Sequence, residues 1–244
     1  MDSEIGKSSF VERIQKLLEH VEYRRAVTAE EKAAIFRMRH EAYTSNGTIA
    51  PRPSGLFHDK FDESPNAWLI AVFIDGELAS SIRIHISAAM SAPLPAMLPF
   101  GDVITPHLEA GECLIDASKH VNRLEFSRRY PEMPLITMRP GFLAEQYFNA
   151  DFITGACRAD NQGAFRRMLA VTRWAAPREY PNLDGGWALM AYDCHALRAK
   201  THARYPFYVS TLDEQRRLFG DSSNPTGDIQ HAIGRRKIRE AAET

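Results

Sequence analysis

Two β-compatible runs, Trp68 to Ile74 and Glu77 to Ser87, are separated by Asp75-Gly76 alone. An Asp-Gly pair readily takes the positive φ angles of a two-residue type I′ turn, so the stretch predicts an antiparallel β-hairpin. Strand alternation then places Leu78, Ser80, Ile82, Ile84 and Ile86 on one side of the second strand, with Ala79, Ser81, Arg83 and His85 on the other. One face is a core face; the opposite one carries two basic groups. Such a hairpin has to be covered by further layers.

The flanking sequence supplies them. Ser9 and Glu12 have capping-box spacing and precede apolar residues at helical intervals, which predicts a helix over about 10 to 20. A short alternating run, Val21 to Val27, leads to a second capping box, Thr28 with Glu31, opening a helix to about Tyr43. Residues 44 to 66 read as a long loop, and loops of that length are usually lids or binding segments. Pro93, Pro95, Pro99 and Pro106 make 88 to 118 read as a crossing loop with a short helix near 94 to 98. Beyond it the pattern predicts a strand at about 119 to 128, a helix at about 139 to 150 and a strand at 151 to 157. A helix opened by Asp160 and a strand from Trp187 to Tyr192 follow. The alternation argues for an α/β (α+β) domain, a mixed central sheet flanked by helices. The expected organisation is an N-terminal helix (1–20), one body (21–210), and a C-terminal helix and tail (211–244).

Composition excludes several classes. Thirty basic against 31 acidic residues leave a net charge of -1, so nucleic acid is not an expected partner. No apolar run reaches the ~18 residues of a membrane span, and MDSEIGKSSF lacks the apolar core of a secretory signal; a cytoplasmic protein without integral membrane association is expected. Cys113, Cys157 and Cys194 form no C-x-x-C pair and read as reduced, buried thiols. The nine histidines form no H-x-x-x-H or H-E-x-x-H, so no metal site is expected, and no bound cofactor either. G-x-S-x-G, Walker A and G-x-G-x-x-G are missing too.

The polar residues that break local rules are Arg39 on a helix stripe, Asp59 and Asp62 in the long loop, Arg83 inside a strand, and Glu125 with Arg128 near another strand's end. Interior charges are costly unless paired or functional. One helical turn from Asp59 to Asp62 would put both carboxylates on one face, opposite Arg39 and Arg83. This cluster could be an internal ion-pair network, a catalytic device or both. Residues three apart on a strand face opposite ways, so Glu125 and Arg128 share a side only across a β-bulge, a feature common near active sites. Without one, Glu125 faces the site with Arg123, Ser127 and Arg129.

The ordered series Phe36-x-x-Arg39-x-x-x-Tyr43, Asp59-x-Phe61-Asp62, Arg83 and Glu125-Phe126-Ser127-Arg128 resembles the N-acyl amino acid synthases and the related acyl-homoserine lactone (autoinducer) synthases, both of the GNAT acyltransferase superfamily. The resemblance covers about residues 21 to 210. It implies a GNAT-like fold and transfer of a fatty acyl group from an acyl carrier protein or coenzyme A thioester to the α-amine of an amino acid with an aromatic or apolar side chain. Lactone synthases usually carry a tryptophan ten residues after the helix arginine. Ile49 stands there, which favours the amino acid branch over use of S-adenosylmethionine. Arg139-Pro140-Gly141 replaces the usual GNAT pyrophosphate loop, which favours a carrier-protein donor. The alternatives are a lactone synthase and a non-catalytic module that binds acyl chains or carrier protein.

On this reading Glu125 is the general base, with Ser127 and Arg128 beside it and an oxyanion-holding N–H at the bulge. Arg83 or Arg128 binds the acceptor's carboxylate, and Arg39 orders the acidic pair, with Tyr43 on the same helix face. Phe126, Phe142, Leu143 and Phe152 lie near the acyl slot, between the Glu125 strand and the next one. Arg128, Arg129, Arg139, Arg166, Arg167 and Arg173 form a basic rim for acidic carrier protein.

Overall fold

The computed structural model describes residues 2–88 and 92–220; most of the expected tail lies outside the described residues. The strands are β1 (Val21–Arg25), β2 (Ala67–Ile74), β3 (Glu77–Ser87), β4 (Leu114–Asn122), β5 (Phe152–Arg158), β6 (Thr172–Tyr180) and β7 (Leu183–Asp193). The helices are α1 (Asp2–Leu18), α2 (Ala29–Ser45), α3 (Met97–Glu109), α4 (Leu124–Arg129), α5 (Met133–Phe148), α6 (Gln162–Leu169), α7 (Cys194–Arg204) and α8 (Leu212–Phe219). The strands form one seven-stranded sheet in the order β1-β2-β3-β4-β5-β7-β6. β4 and β5 run parallel and every other neighbouring pair is antiparallel.

The β2–β3 hairpin turns at Asp75 (φ 51°) and Gly76 (φ 84°), the two positive angles the sequence requires. Strand alternation sorts β2 into two faces of different size. Trp68 and Ile70 meet Phe148 on α5 and Phe219 on α8, while Val72 and Ile74 join Ile14 and Leu17 of α1. The smaller Ala67, Leu69 and Ala71 meet Ile35 and Phe36 of α2. Helices therefore cover both faces, so the basic side of β3 is interior: Arg83 is 1% and His85 0% exposed.

Four local expectations are corrected. Residues 88 to 118 are more than a crossing loop, because α3 runs from Met97 through Pro106 and buries Phe100, Ile104 and Leu108 against Leu114 and Leu189. The first helix does not begin at the Ser9 capping box; α1 passes through it. α5 does not start near Arg139 but six residues earlier, at Met133. Pro140 has no N–H for the Ile136 carbonyl, and the Tyr23 hydroxyl of β1 donates to that oxygen instead (2.9 Å), which lets the helix continue through the proline. The strand expected at 119 to 128 is β4, ending at Asn122, after which the chain turns out into α4.

No helix among the described residues is long and apolar enough to cross a membrane.

Candidate active site

Two irregularities of β4 create the site. First, its parallel pairing with β5 ends after three residue pairs, at Asp116–Thr154, whereas β5 continues beside β7 to Arg158. A cavity of about 250 Å³ opens where β4 and β5 part. Second, Ser81 pairs with Val121 but Arg83 with Ser118, so Ile82 alone opposes Lys119 and His120. This is a β-bulge, and Lys119 takes φ 52° at it. The bulge brings Asp116, Ser118, Lys119 and Val121 to the α2 side of the sheet, although 118 and 119 are adjacent in sequence.

The cavity passes through the sheet at the gap. On the α5 side its wall is apolar, with Met138, Phe142, Phe165, Leu169, Val171 and Met190. Toward α2 it is polar, with Tyr43, Arg83, Asp116, Ser118, Lys119 and Tyr180.

Behind the polar wall is an ion-pair network. Asp59 caps the 3₁₀ turn Lys60–Glu63 in a capping box with Asp62, which presents both carboxylates to the sheet. Arg39 Nη1 donates to Asp62 Oδ1 (2.7 Å); Arg83 Nη1 donates to Asp59 Oδ1 (2.6 Å) and lies 3.1 Å from Asp62 Oδ1. Arg83 Nε donates to Ser118 Oγ (3.2 Å), and Lys119 Nζ stands 3.4 Å from Asp59 Oδ2. Burial alone would raise Asp59, but Arg83, through charge and hydrogen bond, and Lys119 outweigh it and hold the carboxyl at about 2. Burial, reinforced by Arg83, pulls the Lys119 ammonium down to about 7. His85 points its Nε2 at the Phe61 carbonyl (3.0 Å), and burial depresses it to about 3, so it is neutral.

Asp116 is 1% exposed, and its Oδ2 accepts the Ala96 N–H (2.8 Å). Its Oδ1 has no partner among the described residues. Burial raises this carboxyl to about 6, against the opposing pull of the Ala96 N–H and Arg83.

Of the residues singled out from sequence, Arg39, Tyr43, Asp59, Asp62 and Arg83 converge here, and Phe142 lines the apolar wall. Glu125, Ser127 and Arg128 do not join them. All three sit on α4, outside the cavity lining; Glu125 is 66% exposed at its side chain and pairs with Arg123 (3.4 Å). The strand that was to carry them ends at Asn122, whose side chain accepts the Thr137 hydroxyl (2.6 Å). Phe126 is buried in the α5-side core, away from the lining, and Phe152 packs against Trp174 (4.8 Å) and His107 (5.3 Å) in another cluster. Arg139 is not a rim residue: it is 7% exposed and donates to the Phe207 carbonyl (2.7 Å) and Glu214 (2.9 Å).

The residues missed were Asp116, Ser118 and Lys119. Acid-x-Ser-cation occurs twice, as Asp116-Ala-Ser118-Lys119 and, nine residues later, as Glu125-Phe-Ser127-Arg128. Only the first follows an apolar strand start, Leu114-Ile115, and that was the available signal. No group of His, Cys, Asp and Glu that could hold a metal ion occurs among the described residues.

Comparison with known proteins gives the architecture a lineage. A family model described as N-acyl amino acid synthase FeeM matches residues 34–193. Among solved structures, the chain is similar to FeeM, an N-acyl amino acid synthase from uncultured soil microbes, with TM-score 0.60, 18% identity, and 77% of this chain and 97% of that one covered. It is also similar to BjaI, a CoA-dependent acyl-homoserine lactone synthase (TM-score 0.53, 16% identity, 82% and 98% covered). A third likeness is to FdhC, a nucleotide-linked sugar GNAT (TM-score 0.51, 7% identity, 78% and 96% covered). The GNAT-type fold expected from the sequence is thus the fold observed. No curated protein sequence matches the chain.

Proposed function

Because the chain belongs to the FeeM family of N-acyl amino acid synthases and is an acyltransferase, we propose that it moves a fatty acyl group from a carrier-protein thioester to the α-amine of a free amino acid. The observation that carries this reading is a through-sheet cavity with an apolar arm on one side and a buried, half-satisfied carboxylate, Asp116, on the other.

An α-amine with a pKa near 8 is only about a tenth neutral at pH 7, so a base beside it contributes to rate. Asp116, at about 6, is ionised at neutral pH and basic enough to take the amine proton, directly or through one water. The amine nitrogen attacks the thioester carbon, Asp116 accepts the proton, and the carbon–sulfur bond breaks. The proton then passes to the departing thiolate, whose pKa of about 8.5 makes that transfer downhill from a carboxyl near 6. Backbone beyond Asp116 on β4 has no β5 partner, and its N–H groups are preorganised donors for the oxyanion. The acyl chain lies along Met138, Phe142 and Met190.

Carrier protein is favoured as donor because Arg128, Arg129, Arg166, Arg167 and Arg173 are exposed, on α4, α6 and β6. Ile49 stays buried beside Met38, Tyr43 and Phe57, which supports an amino acid over S-adenosylmethionine as acceptor.

The test is incubation with acyl carrier protein and acyl-CoA thioesters in parallel, with mixed amino acids plus S-adenosylmethionine, read by mass spectrometry. An N-acyl amino acid and free carrier thiol are expected. Release of methylthioadenosine with a lactone product, or no acyl transfer at all, overturns the reading.

A further inference from the structure

The acceptor must also be held at its other end, and Arg128, one of the two arginines expected to hold it, lies on α4 outside the cavity lining. An amino acid whose amine faces Asp116 has a carboxylate to place. Four cations stand in or directly behind the cavity wall. Arg39 is 0% exposed and does not reach the lining. Arg83 lines it, but Nη1 serves Asp59 and Asp62 and Nε serves Ser118, so two of its three nitrogens are held by the network. Arg158 stands at the rim beside Asp160. Lys119 differs from all three. Its side chain is 6% exposed, and its one ion-pair partner among the described residues, Asp59 at 3.4 Å, leaves much of an ammonium with three N–H donors unused.

Two further facts single it out. Lys119 occupies the left-handed region at φ 52°, where a non-glycine residue is strained, and such strain persists where the surroundings over-determine it, often at ligand clamps. Its ammonium lies 4.3 Å from the Phe57 ring centroid and 5.6 Å from that of Tyr43, which lines the cavity with it. Arg39, Arg83 and Lys119 stand against the carboxylates of Asp59, Asp62 and Asp116, so once Asp116 takes up the amine proton one positive charge is in excess beside the cavity. Buried charge without compensation is costly, and an anionic ligand group would compensate it.

We propose that Lys119 binds the α-carboxylate of the acceptor, so that the enzyme selects free amino acids over amines that lack a carboxylate. The proposal rests on the acyl-transfer reading above and adds the selection rule to it. Asp116 and Lys119, brought to one side by the bulge, then fix the acceptor at both ends: carboxylate at Lys119, amine at Asp116, thioester carbon at the β4–β5 gap. The bulge sets the spacing between the two ends.

The experiment compares initial rates for one accepted amino acid, its carboxamide and its methyl ester, in the wild type, Lys119→Met and Lys119→Arg. The wild type should favour the free acid about 10- to 100-fold in kcat/KM, mainly through the acceptor's KM, as expected for a hydrogen-bonded charge pair. Lys119→Met should raise the KM for the acid by a similar factor, leave the amide and the thioester donor's KM unchanged, and abolish discrimination; Lys119→Arg should restore part of it. Equal use of acid and amide by the wild type overturns the proposal without any variant, as does discrimination that survives in Lys119→Met. No turnover of any amine by the wild type overturns the acyl-transfer reading instead.

Discussion

Ala96 donates its backbone N–H to Oδ2 of Asp116 at 2.8 Å, and the other oxygen of that carboxylate has no partner among the described residues. The contact ties the loop entering α3 to the third residue of β4, fixing one half of the carboxyl group and leaving the second half for a ligand. Buried carboxylates normally satisfy both oxygens, and an acceptor amine is a donor that would complete this one.

If Asp116 is the base, Asp116→Asn preserves volume and the Ala96 contact while removing basicity. Its kcat/KM should fall about 10²- to 10⁴-fold. Glu125→Gln, on exposed α4, should stay within about twofold of the wild type, as surface changes usually do. Steady-state kinetics of both variants decide between the two acids.

The same assignment sets a pH dependence. Asp116 sits near 6, raised by burial, and must be ionised to accept a proton. Expressed per neutral amine, kcat/KM of the wild type should fall tenfold per unit below about 6 and level off above it. A profile flat from pH 5 to 8 contradicts the role.

Asp59 has a different signature. Its carboxyl lies at about 2 when folded against 3.8 otherwise, so the stability it contributes is complete above about 4 and is lost as pH falls through 2. The amount is about 1–2 kcal/mol after allowance for solvent screening. Asp59→Asn should lower the thermal midpoint at pH 6 and flatten its decline between pH 4 and 2. Parallel curves for the two proteins would refute this.

Tyr23→Phe removes the donor that serves the Ile136 carbonyl, which Pro140 leaves without its helical partner. A loss of about 1–2 kcal/mol in urea unfolding is expected, with kcat unaffected.

For the carrier protein, reversing Arg166 and Arg167 to Glu on exposed α6 should raise the KM for acyl carrier protein several-fold and weaken its salt dependence. The KM for a short pantetheine thioester should not change. Equal effects on both donors would show that the arginines act on the fold.

How much of this was legible beforehand depends on the range of each signal. The Asp75-Gly76 turn and the Thr28–Glu31 capping box involve residues at most three apart, and both stand in the structure as read. The Asp59–Asp62 turn belongs with them, as does its meeting with Arg39 and Arg83, which followed from the cost of interior charge. β6 escaped notice because Arg173 to Tyr180 holds Pro177 and alternates weakly. It is one of the sheet's two edge strands, where a missing N–H is tolerated.

The choice between two acid-x-Ser-cation segments was beyond local reach. A bulge was the right device for putting an acid and a cation three apart on one side, but nothing within a few residues says whether it lies at 118–121 or at 125–128. That depends on where the chain leaves the sheet, which is set by the Thr137 hydroxyl on Asn122 and by the register of β3 on β4. Sequence alone determined the kinds of charge, the turns and the amphipathic faces, because these are properties of neighbouring residues. Tertiary structure decided which carboxylate is buried, which lysine is strained and where β4 and β5 part, because burial and pairing belong to residues tens of positions apart.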